Sequence, residues 1–142
     1  MTVEDRLALV DLIAQYAYMW DGRDADGWSN LFVEDAIWEM HDSGSARTEV
    51  TLRTRSEIRA AAVSAFADRV GVRACHHQDN TLITDMGRDS AHARTMFLVT
   101  QQRADEATPR MILSGVYEDD FVRTDAGWRF AKRVAYTGGP TS

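Results

Sequence analysis

The chain has 142 residues, 44% of them hydrophobic and 27% charged, which suits one folded domain able to bury a core without disulfides or metals. A net charge of −6 with no basic run excludes the electrostatic footprint of a nucleic-acid binder. The one cysteine, Cys75, excludes an internal disulfide and fits a reducing, cytoplasmic setting; no apolar run is long enough to span a membrane, and residues 1–6 lack a signal pattern.

Residues 3–20 predict an amphipathic helix. Leu7, Val10, Ile13 or Ala14, Ala17 and Trp20 recur at helical spacing, and Thr2 with Asp5 reads as a capping signal. Residues 21–27 form a turn-rich break. Asp24 predicts the cap of a short second helix carrying Trp28, Leu31 and Phe32. Residues 35–40 predict a first strand, and the polar, weakly patterned 41–53 a loop or ragged hairpin. Ser56 with Glu57 opens a third helix, with Ile58, Ala61, Ala62, Ala65 and Phe66 on one side and Gly71 closing it. Residues 74–86, 91–103, 110–123 and 127–136 are long β-rich segments separated by hairpin signals at 86–89, 105–109 and 124–127.

Helices followed by a meander predict an α+β fold, one domain over 1–142. In it, a curved, mostly antiparallel sheet packs one face against three N-terminal helices. If the sheet curls, helices and sheet enclose a cone-shaped pocket suited to an apolar ligand. The other face needs cover, which predicts a homo-oligomer.

The case for chemistry rests on Trp20-Asp21 at the end of the first helix and His76-His77 early in the first long β segment. A carboxylate that fixes an imidazole tautomer and stabilises the imidazolium turns histidine into a positioned general base. Strand side chains alternate, so only one of His76 and His77 faces inward. Taken alone, Asp21 also reads as a turn residue bonding local N–H groups, and His76 as a strand histidine satisfied by a neighbour. Trp20, Trp38, Met40, Met96 and Tyr117 are candidate pocket walls, although large apolar residues are more often plain core. Tyr18, Tyr117 and Arg133 are candidate donors to a substrate oxygen or leaving group; Arg133 equally suits a pair with an acid. Asn80 shares the parity of His76 and is a candidate for orienting the pocket.

Residues 21–26 superficially resemble a calcium loop, but Gly22 and Val33 fall where Asp and Glu are needed, and no metal site is expected. The sequence holds no P-loop, dinucleotide fingerprint or nucleophile elbow, and nothing marks Cys75 as an activated thiolate.

Three segments resemble the SnoaL-like branch of the nuclear transport factor 2-like superfamily, which includes scytalone dehydratase-like and hexachlorocyclohexane dehydrochlorinase-like enzymes. The first is Tyr16-Ala-Tyr-Met-Trp20-Asp21-Gly-Arg-Asp24-Ala-Asp26-Gly-Trp28 with Leu31-Phe32-Val-Glu-Asp35-Ala36-Ile-Trp38. The second is Cys75-His76-His77-Gln-Asp-Asn80, and the third is Gly115-Val-Tyr117-Glu-Asp119 with Asp125-Ala-Gly127-Trp128-Arg129-Phe130. The resemblance spans roughly residues 3–136 and implies an antiparallel sheet with three helices, an oligomer (dimer or trimer), no cofactor, and a pairing of Asp21 with an inward His76. The dehydrochlorinase-like pattern places an arginine at Arg133, but its first-helix lysine aligns with Tyr16; the second histidine of scytalone dehydratase-like enzymes falls near Thr95.

The expectation is a cofactor-independent lyase, a dehydratase first, acting on a small apolar cyclic substrate of polyketide, terpenoid or steroid type. A polyketide cyclase or ketosteroid isomerase-like enzyme is the second reading, and a non-catalytic binding or assembly module the third.

Overall fold

The computed structural model describes residues 2–42 and 50–138, without the side chains of Asp85 and Met86. Its elements are α1 (Val3–Asp21), α2 (Ala25–Ser29), β1 (Phe32–Asp42), β2 (Val50–Arg53), α3 (Arg55–Asp68), β3 (Val72–Met86), β4 (Ser90–Arg103), β5 (Arg110–Thr124) and β6 (Gly127–Thr137). One six-stranded sheet runs in the order β2-β1-β6-β5-β4-β3. All neighbours are antiparallel except β1 and β6, which run parallel. The three helices lie on one face: α1 packs on β3 and β6, and α3 on β1 and β2.

Local chemistry explains the helix starts. Thr2 and Asp5 form a reciprocal capping box, with the Asp5 N–H donating to Thr2 Oγ1 at 3.2 Å and the Thr2 N–H to Asp5 Oδ2 at 3.1 Å. Asp24 caps α2 through the Gly27 N–H, and Thr54 caps α3 through the Glu57 N–H. Arg55, at the start of α3, donates to the Phe32 carbonyl and pairs with Glu34, which ties α3 to β1.

The buried face of α1 is Leu9, Leu12, Ile13, Tyr16 and Ala17, continued by the half-buried Trp20. The sequence had pointed to Leu7 and Val10 as well, yet both are exposed. Two apolar stripes run along this helix, and the one with the denser i, i+3, i+4 spacing took the core. Leu31 and Phe32 also differ from expectation: α2 stops at Ser29, and Phe32 opens β1 instead. β1 runs three residues further N-terminal and two further C-terminal than the 35–40 segment, with a bulge between Phe32 and Ile37. Within the polar stretch 41–53, Val50–Arg53 forms a short strand on β1, while 43–49 lies outside the described residues. No helix among the described residues is long and apolar enough to cross a membrane.

The core is aromatic where α1 meets the sheet. Tyr16, Trp28, Phe32, Tyr117, Phe121 and Phe130 are all at most 3% exposed, and the Phe97 and Tyr117 rings stack with centroids 4.2 Å apart. That layer forms the floor on which the site is built.

Candidate active site

α1 delivers Asp21 as its last residue. The helix then ends in a Schellman motif: Asp24 N–H donates to the Met19 carbonyl and Arg23 N–H to the Trp20 carbonyl. The left-handed position of that motif is Arg23, at φ 58°, where glycine is usual. The guanidinium of Arg23 compensates by donating to the carbonyls of Phe66, Arg69 and Val72, which fastens the end of α1 to the end of α3 and the start of β3.

Asp21 thereby meets β3. One carboxylate oxygen accepts the His76 backbone N–H at 2.7 Å, and the other lies 2.6 Å from His76 Nδ1. An ionised carboxylate can only accept, so this contact assigns the ring hydrogen to Nδ1 and leaves the Nε2 lone pair exposed. The two side chains are 21% and 12% accessible, for Asp21 and His76 respectively. Among the described residues no hydrogen-bond partner takes Nε2. Trp20 meets the imidazole edge-to-face at 6.3 Å.

His76 opens onto a cavity of about 170 Å³ between α1 and the concave sheet face. Its inner wall is Tyr16, Phe97, Val99 and Tyr117, all buried; its outer wall includes Trp38, Met40, Ile112 and the exposed Arg69. Trp38 Nε1–H donates to Tyr16 Oη at 3.0 Å, so the Tyr16 hydroxyl keeps its own hydrogen to give. Burial pushes the Tyr16 phenol up, against the pull of the Arg133 charge. Burial first, and then the neighbouring Tyr16, pushes Tyr117 well above its ordinary value. Both phenols therefore stay protonated.

Beneath these rings lies a second acid–base pair. Arg133 and Asp119 face each other across β6 and β5, fully buried, with two contacts of 2.7 Å. The guanidinium lies against the Tyr16, Tyr117 and Phe130 rings at 4.0, 4.1 and 4.5 Å. Its remaining nitrogen donates to Gln78 Oε1 at 3.1 Å, and Gln78 Nε2 donates to the Ile13 carbonyl. Burial disfavours the Arg133 cation, but the charge and hydrogen bonds of Asp119 outweigh it and hold the guanidinium above its ordinary range. Burial likewise raises the Asp119 carboxyl, with the permanent charge and hydrogen bonds of Arg133 opposing.

The structure brings His76, Trp20, Trp38, Met40 and Tyr117 around one cavity, with Asp21 bonded to His76 Nδ1 but not itself in the cavity lining. Four sequence candidates lie elsewhere. Tyr18 is 81% exposed, two residues and about half a helical turn from the face that Tyr16 occupies. Met96 is 52% exposed because Phe97, not Met96, has the inward parity on β4. Asn80 does not share the inward face of His76: a bulge between Asp79 and Leu82 shifts the register, Asn80 adopts φ 50°, and its exposed amide contacts Met96 Sδ on the open face. Arg133 lies under the cavity floor, committed to Asp119.

Sequence reasoning missed Tyr16, Gln78, Arg69 and Asp119. Tyr16 was visible as the residue four before Trp20, on the stripe of Leu9, Leu12 and Ile13. Gln78 lies two residues from His76, hence on the same strand face. Asp119 alternates inward with Tyr117, but its partner across the sheet depends on strand register. Among the described residues no group of three or more His, Cys, Asp or Glu side chains is placed to hold a metal ion.

The model of the SnoaL-like domain matches residues 1–134. No curated protein matches the chain. Among solved structures, Rv3472 from Mycobacterium tuberculosis, a protein of unknown function, is 28% identical with a TM-score of 0.78, covering 95% of this chain and 72% of its own. An NTF2-like protein with a cystatin-like fold from Novosphingobium aromaticivorans is 28% identical with a TM-score of 0.77, covering 99% of this chain and 86% of its own. ActVI-ORFA from Streptomyces coelicolor, 22% identical with a TM-score of 0.77 and covering 93% and 96%, shares the fold.

Proposed function

The chain belongs to the SnoaL-like family of NTF2-like folds, and from that premise we propose that it is a lyase of dehydratase type working by general acid–base chemistry. The observation that carries this reading is the Asp21–His76 pair, with Nδ1 held at 2.6 Å by the carboxylate and Nε2 turned to an apolar cavity. Nε2 removes a proton from a carbon beside an activating carbonyl. The C–H electron pair becomes the new C=C bond as the C–O bond to the hydroxyl breaks. The departing hydroxide takes a proton from Tyr16 or Tyr117, and water leaves; the proton on His76 then returns to that phenol, which resets the site. Asp21 stabilises the imidazolium between those events.

The cavity favours a small, largely apolar, cyclic substrate, because aromatic walls surround few polar groups. General acid–base help of this kind is worth on the order of 10²–10⁴-fold. Positioning against the rigid aromatic floor supplies the rest. The reading needs no cofactor. A polyketide cyclase or isomerase would use the same proton shuttle on another substrate, with Tyr16 and Tyr117 stabilising an enolate oxygen instead of a leaving group.

The test is turnover of cyclic β-hydroxy-carbonyl compounds by the wild type and His76→Ala, followed by loss of water in the product mass. Wild-type turnover abolished by His76→Ala supports the assignment. Equal turnover by both proteins refutes it.

A further inference from the structure

The protein carries a net charge of −6, yet a groove beside the cavity is lined by several arginines. This groove, of about 480 Å³, is lined by Arg23, Arg73, Gln102, Arg103 and Glu106, among others. A narrow pocket of about 20 Å³ shares Trp20 and Arg69 with the cavity and Arg23 and Val72 with the groove. The narrow pocket therefore lies between the cavity and the groove, and the exposed Arg69 stands at the cavity edge nearest the groove.

Arginines outnumber acids in the lining of the groove and the narrow pocket. Glu106 is the one acid in the groove lining, and its carboxylate is engaged by Arg110 at 2.7 Å and by the Arg103 backbone N–H at 2.8 Å. Arg23 spends its hydrogen bonds on three backbone carbonyls, so its charge meets no carboxylate. Among the described residues, the guanidinium groups of Arg69 and Arg73 have no ion pair, while the Arg103 charge helps to hold the Glu106 carboxyl below its ordinary value. All three arginines are exposed. Arginine forks suit phosphate oxygens, and a cationic groove on an acidic protein concentrates anions there.

We propose that the substrate reaches the cavity as an acyl thioester on a phosphate-bearing carrier arm, with the acyl body beside His76, the arm passing Arg69, and the phosphates on Arg73 and Arg103. This rests on the proton-abstraction reading of the cavity and deepens it. The thioester carbonyl is the activating group that makes the neighbouring C–H acidic enough for an imidazole base. A free carboxylate would need one arginine; a groove of about 480 Å³ in which Arg73 and Arg103 both present exposed side chains fits a longer anion.

The experiment is calorimetric titration of the whole protein with coenzyme A and, separately, with pantetheine, which lacks the phosphates. The wild type is expected to bind coenzyme A at least about tenfold more tightly than pantetheine. In R73Q/R103Q, with an unchanged circular dichroism spectrum and melting point, that preference should vanish. In Arg69→Gln it should shrink. His76→Ala should keep it intact, so failure of the base assignment and failure of the carrier-arm assignment register separately. Equal affinity for the two ligands, no binding of coenzyme A at millimolar concentration, or a preference that survives R73Q/R103Q would overturn the proposal.

Discussion

Two carboxylate pairs flank the cavity, Asp119–Arg133 beneath its floor and Asp21–His76 at its wall, and an imidazole can pass on a proton that a guanidinium cannot. Asp119–Arg133 is sealed: both side chains are wholly buried, the guanidinium is faced by three aromatic rings, and Gln78 takes one more of its donors. Asp21–His76 is only partly enclosed, and one imidazole nitrogen remains for the cavity. The sealed pair sets the position of the rings above it; the open pair has the geometry of a base. Incomplete burial, with a second partner withheld, separates a candidate catalytic pair from a structural one.

The comparison can be broken from either side. In the open pair, His76→Ala should lower turnover by on the order of 10²–10⁴-fold with little change in melting temperature. Asp21→Asn should lose nearly as much, and the double variant should be hardly worse than His76→Ala, because the two act as one unit. Losses that multiply would show two independent residues. His77→Ala, on the exposed side of β3, should be mild by the same assay.

The sealed pair should respond in stability instead. Arg133→Met leaves Asp119 buried without its cation and should cost about 3–5 kcal/mol in urea unfolding. Combining it with Asp119→Leu should recover part of that loss, since an apolar pair has no charge to desolvate. A loss that simply doubled would contradict the pairing.

A smaller effect tests the cap of α1. The Thr2 backbone N–H, then Arg123 and Trp128, hold the Asp5 carboxyl down at about 2, from an ordinary 3.8. A depressed folded-state value means that Asp5 stabilises fully above about pH 4 and loses that contribution as pH falls through about 2. The melting-temperature gap between wild type and Asp5→Asn should be open at neutral pH and closed near pH 2. A gap that persists unchanged in acid would refute the assignment.

Self-association is the remaining expectation. The helix-free face exposes Met96 and Tyr136, the latter ring stacked on His41 at 5.4 Å. A second copy seated there should give a dimer mass by light scattering, and Met96→Lys should shift it toward monomer. A monomer at micromolar wild-type concentration would remove this expectation.

The residues that were legible in the sequence are those whose placement is local. Asp21 sits at a readable helix end and His76 on a readable strand, but their selection as a pair came from the family pattern. Gly71, expected to end the third helix, sits at φ 77° in the turn after α3. What escaped depends on distant geometry. The choice between Tyr16 and Tyr18 turns on which of two apolar stripes the sheet covers, a decision made by tertiary packing. The bulge that turns Asn80 outward has no sequence signal of its own. β2 is a short edge strand with exposed residues, so it lacks the alternation that marks a half-buried strand. The Asp119–Arg133 pair needs the β5–β6 register, which no single segment encodes.

The most direct test of the account requires no substrate. It is the nitrogen-15 NMR spectrum of the neutral His76 ring, assigned by comparison with His76→Ala. The account predicts the hydrogen on Nδ1 and a bare Nε2, with that preference weakened or reversed in Asp21→Asn. A wild-type ring carrying its hydrogen on Nε2 would contradict the central claim, because a protonated Nε2 could not take a proton from anything in the cavity.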